Sequence, residues 1–267
     1  MSKSQNISTA AAQPVLEMRA VTVSAMRDAS FVVVDHVDWT VAPGEFWVVG
    51  GPQHSGKTDL MFVAAGVLPP AAGSCKLFGL ETRSFSEAEL PKRLRVGYVA
   101  EGGQIFNRMT VAENIALPLR YHKNLASADA APEVKALLEL MELSPLADVT
   151  PAHVPANWRH RAALARALIM KPDLLLLDNP LSGLAPRHQS WWIHFLDQLG
   201  RGHEFFGGRP MTIAATAEDF RPWRKAPRQF AALHDRQFIP LGTWQQVESC
   251  DDPGVRELLG PALELVT

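Results

Sequence analysis

The sequence is poor in cysteine and lacks any long apolar run. Its two cysteines, Cys75 and Cys250, lie far apart in a chain of 267 residues. This excludes a disulfide framework and a cysteine metal site, and it favours a reducing cytosol. No stretch approaches the roughly 18 consecutive apolar residues that a membrane-spanning helix needs. We therefore expect a cytoplasmic protein whose only route to a membrane is through a partner protein.

The sequence also lacks an excess of charge of either sign. The formal net charge is −2, which gives no electrostatic reason to expect nucleic acid or an anionic membrane surface as a partner. Hydrophobic residues make up 47% of the chain and charged residues 20%, the balance of a folded globular protein. Residues 1–14 are polar and contain no apolar core of signal-peptide type. They predict a flexible tail before a single domain at residues 15–267.

Segments typical of strands alternate with segments typical of helices, which predicts an α/β fold with a mostly parallel sheet. Several short β-rich segments precede the first helix and predict an additional antiparallel β-layer. The predicted strands are residues 15–24, 31–34, 37–41, 45–49, 174–177, 211–216, 229–234 and 237–241. The last two, separated by Asp235 and Arg236, are expected to form a hairpin. The predicted helices are residues 58–65, a helix that starts at Thr110 with a capping box to Glu113, residues 132–141 with Pro132 in the first turn, and residues 157–169.

Residues 51–58 read Gly-Pro-Gln-His-Ser-Gly-Lys-Thr and match the phosphate-loop pattern between a strand and a helix. The glycines let backbone N–H groups turn toward a phosphate, and the start of the helix adds a partial positive charge. Lys57 is expected to reach the β- and γ-phosphates, and Thr58 is expected to ligate Mg²⁺. The predicted nucleotide-binding residues are Gly51, Pro52, Gln53, His54, Ser55, Gly56, Lys57, Thr58 and Asp59.

Further motifs identify the branch of this superfamily. Leucines at residues 174–177 end in Asp178, the pattern of a buried strand whose terminal carboxylate holds Mg²⁺ through water. A basic helix at residues 161–168 precedes this strand, and Asn-Pro-Leu-Ser-Gly-Leu follows it. Together these motifs resemble the ABC-transporter ATPase family over nearly the whole chain, from residue 15 to about residue 260. More narrowly, residues 105–119, 161–167 and 252–259 are similar to the ATPases of Mla/Mce-type lipid-transport systems.

The resemblance implies a P-loop NTPase fold, with a RecA-like parallel sheet, an antiparallel β-layer and an α-helical subdomain at about residues 91–169. It implies ATP with Mg²⁺ as the ligands. The implied partners are transmembrane permease subunits and a second ATP-binding cassette chain, either identical or different. The permease would hold the chain on the inner face of the cell membrane, with residues 106–119 as the expected contact.

Three positions that this family uses for hydrolysis carry other residues here. Asn179 stands where a glutamate normally polarises the attacking water. Glu101 stands at the Q-loop glutamine, which touches Mg²⁺ and that water, and Ala217 stands at a histidine that contacts the γ-phosphate. Ala185 also replaces an aspartate of the loop after Asp178. Because an amide cannot accept a proton, general-base help worth about 10²–10⁴-fold in rate is expected to be lost.

The family's signature motif, which resembles Leu-Ser-Gly-Gly-Gln and contacts the nucleotide of the partner chain, falls on residues 154–158, Val-Pro-Ala-Asn-Trp. Pro155 has neither the hydroxyl nor an N–H donor. Ala156 and Asn157 add side chains where the partner's nucleotide must approach the backbone closely. The chain is therefore expected to serve its partner's nucleotide poorly.

The phosphate loop also departs from the pattern. His54 replaces a glycine, and Asp59 replaces a hydroxyl residue; a carboxylate there repels the α-phosphate unless it turns away or pairs with a cation. The aromatic residue that stacks on adenine falls at Val23, with Phe31 as a substitute.

The preferred interpretation is an ATP-binding subunit of an ABC transporter, for lipids, in which hydrolysis is weakened or lost. Two alternatives remain open: a competent ATPase in which Asn179 or Glu101 suffices, and a regulatory or scaffold cassette that binds no nucleotide. Whether the chain is an active enzyme, what is transported, in which direction, and whether the dimer is homomeric are left open by the sequence.

Two other groups of residues are each open to two interpretations. Trp191 and Trp192 indicate either contact with a membrane subunit or packing in the core or dimer, and packing is favoured because tryptophan is usually buried. Four basic residues around Trp223 indicate an anion or lipid-headgroup patch, or a solvated charged face, which is favoured. These residues are Arg221, Arg224, Lys225 and Arg228.

Overall fold

The computed structural model describes residues 13–84, 89–225 and 228–260. The tail predicted at residues 1–14 therefore lies, up to residue 12, outside the described residues. The strands are β1 Leu16–Ala25, β2 Asp28–Val41, β3 Phe46–Gly50, β4 Ala72–Leu77, β5 Leu80–Glu81, β6 Val96–Val99, β7 Leu174–Leu177, β8 Thr212–Ala217, β9 Gln229–His234 and β10 Gln237–Gly242. The α-helices are α1 Lys57–Ala64, α2 Leu90–Arg93, α3 Val111–His122, α4 Ser127–Leu140, α5 Ala156–Leu168, α6 Pro186–Arg201, α7 Trp244–Glu248 and α8 Pro253–Leu258.

Within the described residues, these strands form one sheet in the order β5-β4-β1-β2-β10-β9-β3-β8-β7-β6. Strands β9, β3, β8, β7 and β6 are parallel neighbours. Strands β2, β1, β4 and β5 pair antiparallel at the other end, and β9 and β10 form the predicted hairpin. The predicted fold class, a parallel α/β sheet with an antiparallel β-layer and helices, is confirmed.

Strand β7 shows why the run of leucines forms the centre of the sheet. All four of its residues are buried. Leu175 and Leu177 pack with the helices α3 to α6, whereas Leu174 and Leu176 pack with α1 and the antiparallel layer. A strand covered on both faces is apolar throughout. Because β3, β8 and β7 are parallel neighbours, their carboxyl ends lie together at one edge of the sheet.

The two short strands predicted at residues 31–34 and 37–41 are a single strand, β2. The register with β1 shifts between the pairs Val21–Val37 and Val23–Val34, which leaves one extra residue on β2. His36 has a φ of 50° at this point. A β-bulge interrupts the alternation of side chains without ending the strand, so the sequence pattern is broken although the ladder continues.

Of the helices between residues 111 and 168, α4 begins earlier than predicted. The capping box of Thr110 and Glu113 is present at the start of α3, as predicted. Helix α4 begins at Ser127, so Pro132 lies inside the helix and the prediction of its place in the first turn was wrong. The alanine-rich residues before Pro132 have high helix propensity, and its exposed ring lies on the solvent side.

In the part of the chain that the structure describes, no helix is both long enough and apolar enough to cross a membrane. Of the basic residues near Trp223, Arg228 is buried and forms an ion pair with Asp197. Arg221 is exposed and pairs with Asp219 at 2.7 Å. These residues therefore do not form one continuous charged surface. Trp192 is buried in the core, which agrees with the packing interpretation of the tryptophan pair.

Candidate nucleotide-binding site

The loop at residues 51–56 leaves the end of β3 and enters α1. Its first residue is fixed to the sheet because the Gly51 N–H donates to the Ala217 carbonyl at 3.0 Å. Gly56, the cap of α1, has a φ of 89°, and a Cβ on it would lie 2.9 Å from Cγ2 of Val34. Only glycine fits both that backbone conformation and that space. The sequence Gly-Lys at the start of α1 therefore brings the loop directly against β2.

His54 adopts the left-handed conformation, with a φ of 64°. Its side chain is exposed and the loop keeps its turn. A non-glycine residue pays about 1–2 kcal/mol for such a conformation, and histidine is among the residues that adopt it more often. The replacement of glycine at this position therefore strains the loop without unfolding it.

Lys57 is buried, with 7% of its surface exposed. Its Nζ donates to the carbonyls of Gly51 at 2.8 Å and Pro52 at 2.6 Å. Burial lowers the pKa of Lys57, and the opposing pull of three carboxylates, Glu218, Asp178 and Glu101, raises it. The amine thus lies inside the curve of the loop, next to a group of acids.

A cavity of about 570 Å³ opens beside this loop. Six of the nine predicted binding residues line it: Gln53, His54, Gly56, Lys57, Thr58 and Asp59. The other three, Gly51, Pro52 and Ser55, are absent from its lining and make backbone contacts within the loop. The carbonyls of Gly51 and Pro52 accept from Lys57, and the Ser55 N–H donates to Pro52 O at 3.3 Å.

Thr58 and Asp178, the predicted Mg²⁺ residues, are in direct contact. Thr58 Oγ1 donates to Oδ2 of Asp178 at 2.7 Å, and Thr216 Oγ1 donates to Oδ1 at 2.9 Å. The Tyr98 hydroxyl lies 3.5 Å from Oδ2. The pKa of Tyr98 is raised, mainly by burial and then by the negative charge of Asp178. One hydroxyl and one carboxylate at the mouth of a phosphate loop are oxygen donors of the kind that Mg²⁺ binds, with its other positions left to water and phosphate. The residues present fit that ion.

Asn179 follows Asp178 and is also buried. Its Nδ2 donates to Oε1 of Glu101 at 2.8 Å and lies 3.4 Å from Oε1 of Glu218, and its backbone N–H donates to Thr216 Oγ1 at 2.8 Å. The backbone φ of Asn179 is 44°, a conformation that asparagine tolerates better than most residues. The structure therefore brings Asn179 and Glu101 together at the cavity.

Ala217 ends β8 and is buried, and its carbonyl accepts from the phosphate loop. The cavity is lined instead by the next residue, Glu218. Sequence reasoning did not propose Glu218 or Tyr98 as site residues. The signal for Glu218 was its place directly after a strand of the parallel sheet, where functional groups of α/β proteins gather.

Asp59 lines the cavity, with one carboxylate oxygen bonded outside the phosphate loop. Its Oδ1 accepts from the Met26 N–H at 2.8 Å, which ties α1 to the turn between β1 and β2. Val23 is fully buried, whereas Phe31 is 60% exposed and lines the cavity. An adenine ring beside the loop would therefore meet Phe31 and not Val23.

At the residues aligned with the signature motif, Pro155 caps α5 without any side-chain hydrogen bond. Further along α5, the buried guanidinium of Arg161 lies 4.5 Å from the Trp158 ring and 3.7 Å from the Trp191 ring. It also donates to Oε2 of Glu142 at 2.7 Å. This cluster joins the end of α4 to α5 and α6.

Comparison with known proteins agrees with this architecture. The family described as ABC transporter matches residues 34–182, more than half of the chain. The intermembrane phospholipid transport system ATP-binding protein MlaF of Escherichia coli K12 is 27% identical over 250 residues, 91% of each chain. The spermidine/putrescine import ATP-binding protein PotA of Pseudomonas aeruginosa UCBPP-PA14 is 36% identical over 171 residues, which are 64% of this chain and 45% of PotA.

A solved structure with the same fold is the dimeric ATP-binding cassette MJ0796 in a post-hydrolysis state with ADP and Pi. It superposes with a TM-score of 0.72 at 23% identity and covers 83% of this chain and 95% of its own. The phosphate loop, the strand that ends in Asp178 and the family match over residues 34–182 lead to one assignment. The chain belongs to the ABC transporter family, as an ATP-binding subunit.

Proposed function

We propose that this subunit binds ATP with Mg²⁺ in the cavity beside residues 51–58, hydrolyses it slowly or not at all, and serves a transporter of lipids. The observation that carries the slow hydrolysis is the amide of Asn179. It stands at the carboxyl end of β7 and donates to Glu101. A side chain that donates a hydrogen bond to a carboxylate, and has no basic atom, cannot take the proton of an attacking water.

Nucleotide binding is supported by the intact parts of the loop. Lys57 and the N–H groups at the start of α1 supply positive charge and donors for the phosphates. Mg²⁺, when bound, supplies charge neutralisation on the phosphate oxygens, with Thr58 and Asp178 as its protein contacts. One oxygen of Asp59 accepts from the Met26 N–H, which limits its repulsion of the phosphates. These contacts favour binding over the alternative of a scaffold that takes no nucleotide.

Slow hydrolysis is supported by two further positions. Ala217 has no side chain that could contact a γ-phosphate, and it is buried under the phosphate loop. Glu218 places a further negative charge on the cavity wall, which opposes the charge that develops on a transferring phosphate.

A second cassette chain completes the proposed assembly. Pro155 starts α5 without an N–H and without a capping side chain, so the end of this helix offers fewer donors to a nucleotide held by another chain. The nucleotide of the partner cassette is therefore held weakly by this chain. An intact partner would make the assembly asymmetric, and two copies of this chain would weaken both sites.

The proposed contact with the permease lies along α3. A groove of about 330 Å³ is lined there by Phe106, Pro118 and Tyr121, among others. Phe106 is 56% exposed and Tyr121 is 79% exposed, and exposed aromatic residues favour protein interfaces. Such docking would place the cytoplasmic chain at the membrane without contact to lipid or nucleic acid.

Lipid as the transported class is supported by the relation to MlaF, which extends over 91% of both chains. The higher identity to PotA covers less than half of that protein. Transfer of a fluorescent phospholipid between vesicles by the reconstituted transporter tests this class, with spermidine uptake as the competing outcome.

Calorimetry tests the binding. Full-length wild type titrated with Mg·ATP is expected to show a single binding event, and Lys57→Ala is expected to lose about 100-fold or more in affinity because its charge-assisted contacts to the phosphates are absent. A wild type that releases no heat, and shows no thermal shift with Mg·ATP, would establish the scaffold alternative.

A further inference from the structure

Relative to the ABC pattern, an amide and a carboxylate are exchanged between the ends of two neighbouring strands. Strands β6 and β7 are parallel, with Val99 paired to Leu177, and two residues further on Glu101 faces Asn179. The ABC pattern has a glutamine at the first of these positions and a glutamate at the second. This chain has the carboxylate first and the amide second, and the two side chains are hydrogen bonded at 2.8 Å.

The exchange preserves the chemistry of the pair. It still holds one carboxylate, one amide and one negative charge, and it lies on the wall of the same cavity as Lys57 and Thr58. The carboxylate is displaced sideways by about 4.8 Å, the spacing of neighbouring strands. Because Asn179 is buried and anchored by Thr216, its amide holds Glu101 in a defined position.

We infer that Glu101 is the proton acceptor for whatever hydrolysis this chain retains, and that Asn179 is its positioning residue. In this step the water oxygen attacks the γ-phosphorus and the bond from that phosphorus to the β,γ-bridging oxygen breaks. The proton of the water passes to the Glu101 carboxylate and then to the phosphate product, so that ATP and water give ADP and phosphate. The inference rests on the proposed binding of ATP, and the displaced base explains why the rate is low.

The two other carboxylates of the cavity are less suited to this step. Both oxygens of Asp178 already accept hydrogen bonds, from Thr58 and Thr216, and only 3% of the residue is exposed. Glu218 lies 3.4 Å from the Asn179 amide, a longer contact than that of Glu101. Of the nearby carboxylates, Glu218 is the first that raises the pKa of the Lys57 ammonium against the effect of burial, which indicates that it balances that charge. Glu101 and Glu218 are both exposed, and Glu101 has the shorter contact with the Asn179 amide.

The test compares Glu101→Gln, Glu218→Gln, Asn179→Glu and the double variant Glu101→Gln/Asn179→Glu with the wild type, all as full-length protein. Single-turnover formation of ADP is followed with the protein in excess over Mg·ATP. Glu101→Gln is expected to form ADP about 100-fold more slowly, whereas Glu218→Gln, which keeps the proposed proton acceptor, is expected to lose much less than Glu101→Gln. The double variant restores the family arrangement and is expected to exceed the wild-type rate.

Binding supplies a readout that is independent of turnover. Glu101→Gln removes a negative charge near the terminal phosphate, so calorimetry is expected to show about 3- to 10-fold tighter binding of Mg·ATP and a smaller change for Mg·ADP. The nucleotide that remains bound to this variant after gel filtration is expected to be ATP. Unchanged melting temperatures establish that the fold is intact.

Several results would overturn the inference. They are an unchanged rate in Glu101→Gln, a larger loss in Glu218→Gln, or a wild type that forms no ADP at all. A Glu101→Gln variant that needs much more Mg²⁺ for half-maximal ATP binding would make Glu101 a metal ligand and not a base. Failure of the proposed function is a separate outcome, because it shows as absence of ATP binding by the wild type.

Discussion

The hydroxyl of Thr58 donates to Oδ2 of Asp178 at 2.7 Å and so joins the first turn of α1 to the end of β7. The two residues are 120 positions apart, and the sheet order brings them together because β3 and β7 flank β8. One contact thus connects the phosphate loop with the carboxylate of the proposed Mg²⁺ site.

Removal of this hydroxyl is expected to affect both stability and metal-dependent binding. Thr58→Ala leaves a buried carboxylate with one donor fewer, which costs about 1.5–3 kcal/mol of unfolding free energy. It is also expected to reduce the gain in ATP affinity that Mg²⁺ provides over EDTA. Thr58→Ser keeps the hydroxyl and is the matched control. Denaturant unfolding and calorimetry measure the two effects; equal Mg²⁺ dependence in Thr58→Ala and wild type would contradict the assignment.

Asp59 offers a test of charge against hydrogen bonding. Asp59→Asn keeps an oxygen that can accept from the Met26 N–H and removes the charge, so we expect unchanged stability and about 2- to 5-fold tighter ATP binding. Asp59→Ala removes both and is expected to lose about 1 kcal/mol of unfolding free energy. If both variants bind ATP with wild-type affinity, the charge of Asp59 does not reach the phosphates.

The Arg161 cluster is expected to be essential to the helices at residues 111–168. Arg161 is 4% exposed and lies over two tryptophan rings. Lysine cannot reproduce that stacking, so Arg161→Lys should cost about 2–3 kcal/mol of unfolding free energy. Arg256→Lys, in an exposed ion pair with Asp251, should cost less than about 0.5 kcal/mol. Equal melting temperatures for the two variants would refute the role of the cluster.

Restoration of the signature motif tests the account of the dimer. The triple variant Pro155→Ser/Ala156→Gly/Asn157→Gly supplies a hydroxyl and an N–H donor. It also removes two side chains, so that the partner's nucleotide can approach the backbone. Sedimentation with Mg·ATP should show dimers of the triple variant and monomers of the wild type, and both should be monomeric with Mg·ADP. ATP-dependent dimers of the wild-type chain would show that Val-Pro-Ala-Asn-Trp is sufficient for dimer formation, which would contradict this account of the motif.

Local patterns predicted much of this fold. The phosphate loop, the buried β7, the hairpin of β9 and β10 and the capping box at Thr110 all depend on residues close together in the chain, so periodicity and turn chemistry identify them. The start of α4 was mispredicted because the propensity of neighbouring alanines outweighs the one hydrogen bond that Pro132 cannot make.

The site itself was only partly predictable. The sequence indicates that residues 101 and 179 depart from the ABC pattern, but their hydrogen bond depends on the pairing of β6 with β7. The turn of Asp59 toward Met26 likewise depends on where the β1–β2 hairpin folds. Such contacts join residues far apart in the chain, and only the packed sheet determines which of them meet.

The most direct test of the central claim is steady-state phosphate release by the purified chain at saturating Mg·ATP, with Lys57→Ala alongside. A median enzyme turns over about 10 times per second. A general base that is displaced or absent forfeits about 10²–10⁴-fold in rate, which predicts less than about 0.1 per second here. We expect the wild type to bind ATP and to release phosphate at or below this rate. Robust turnover that Lys57→Ala abolishes would contradict the account.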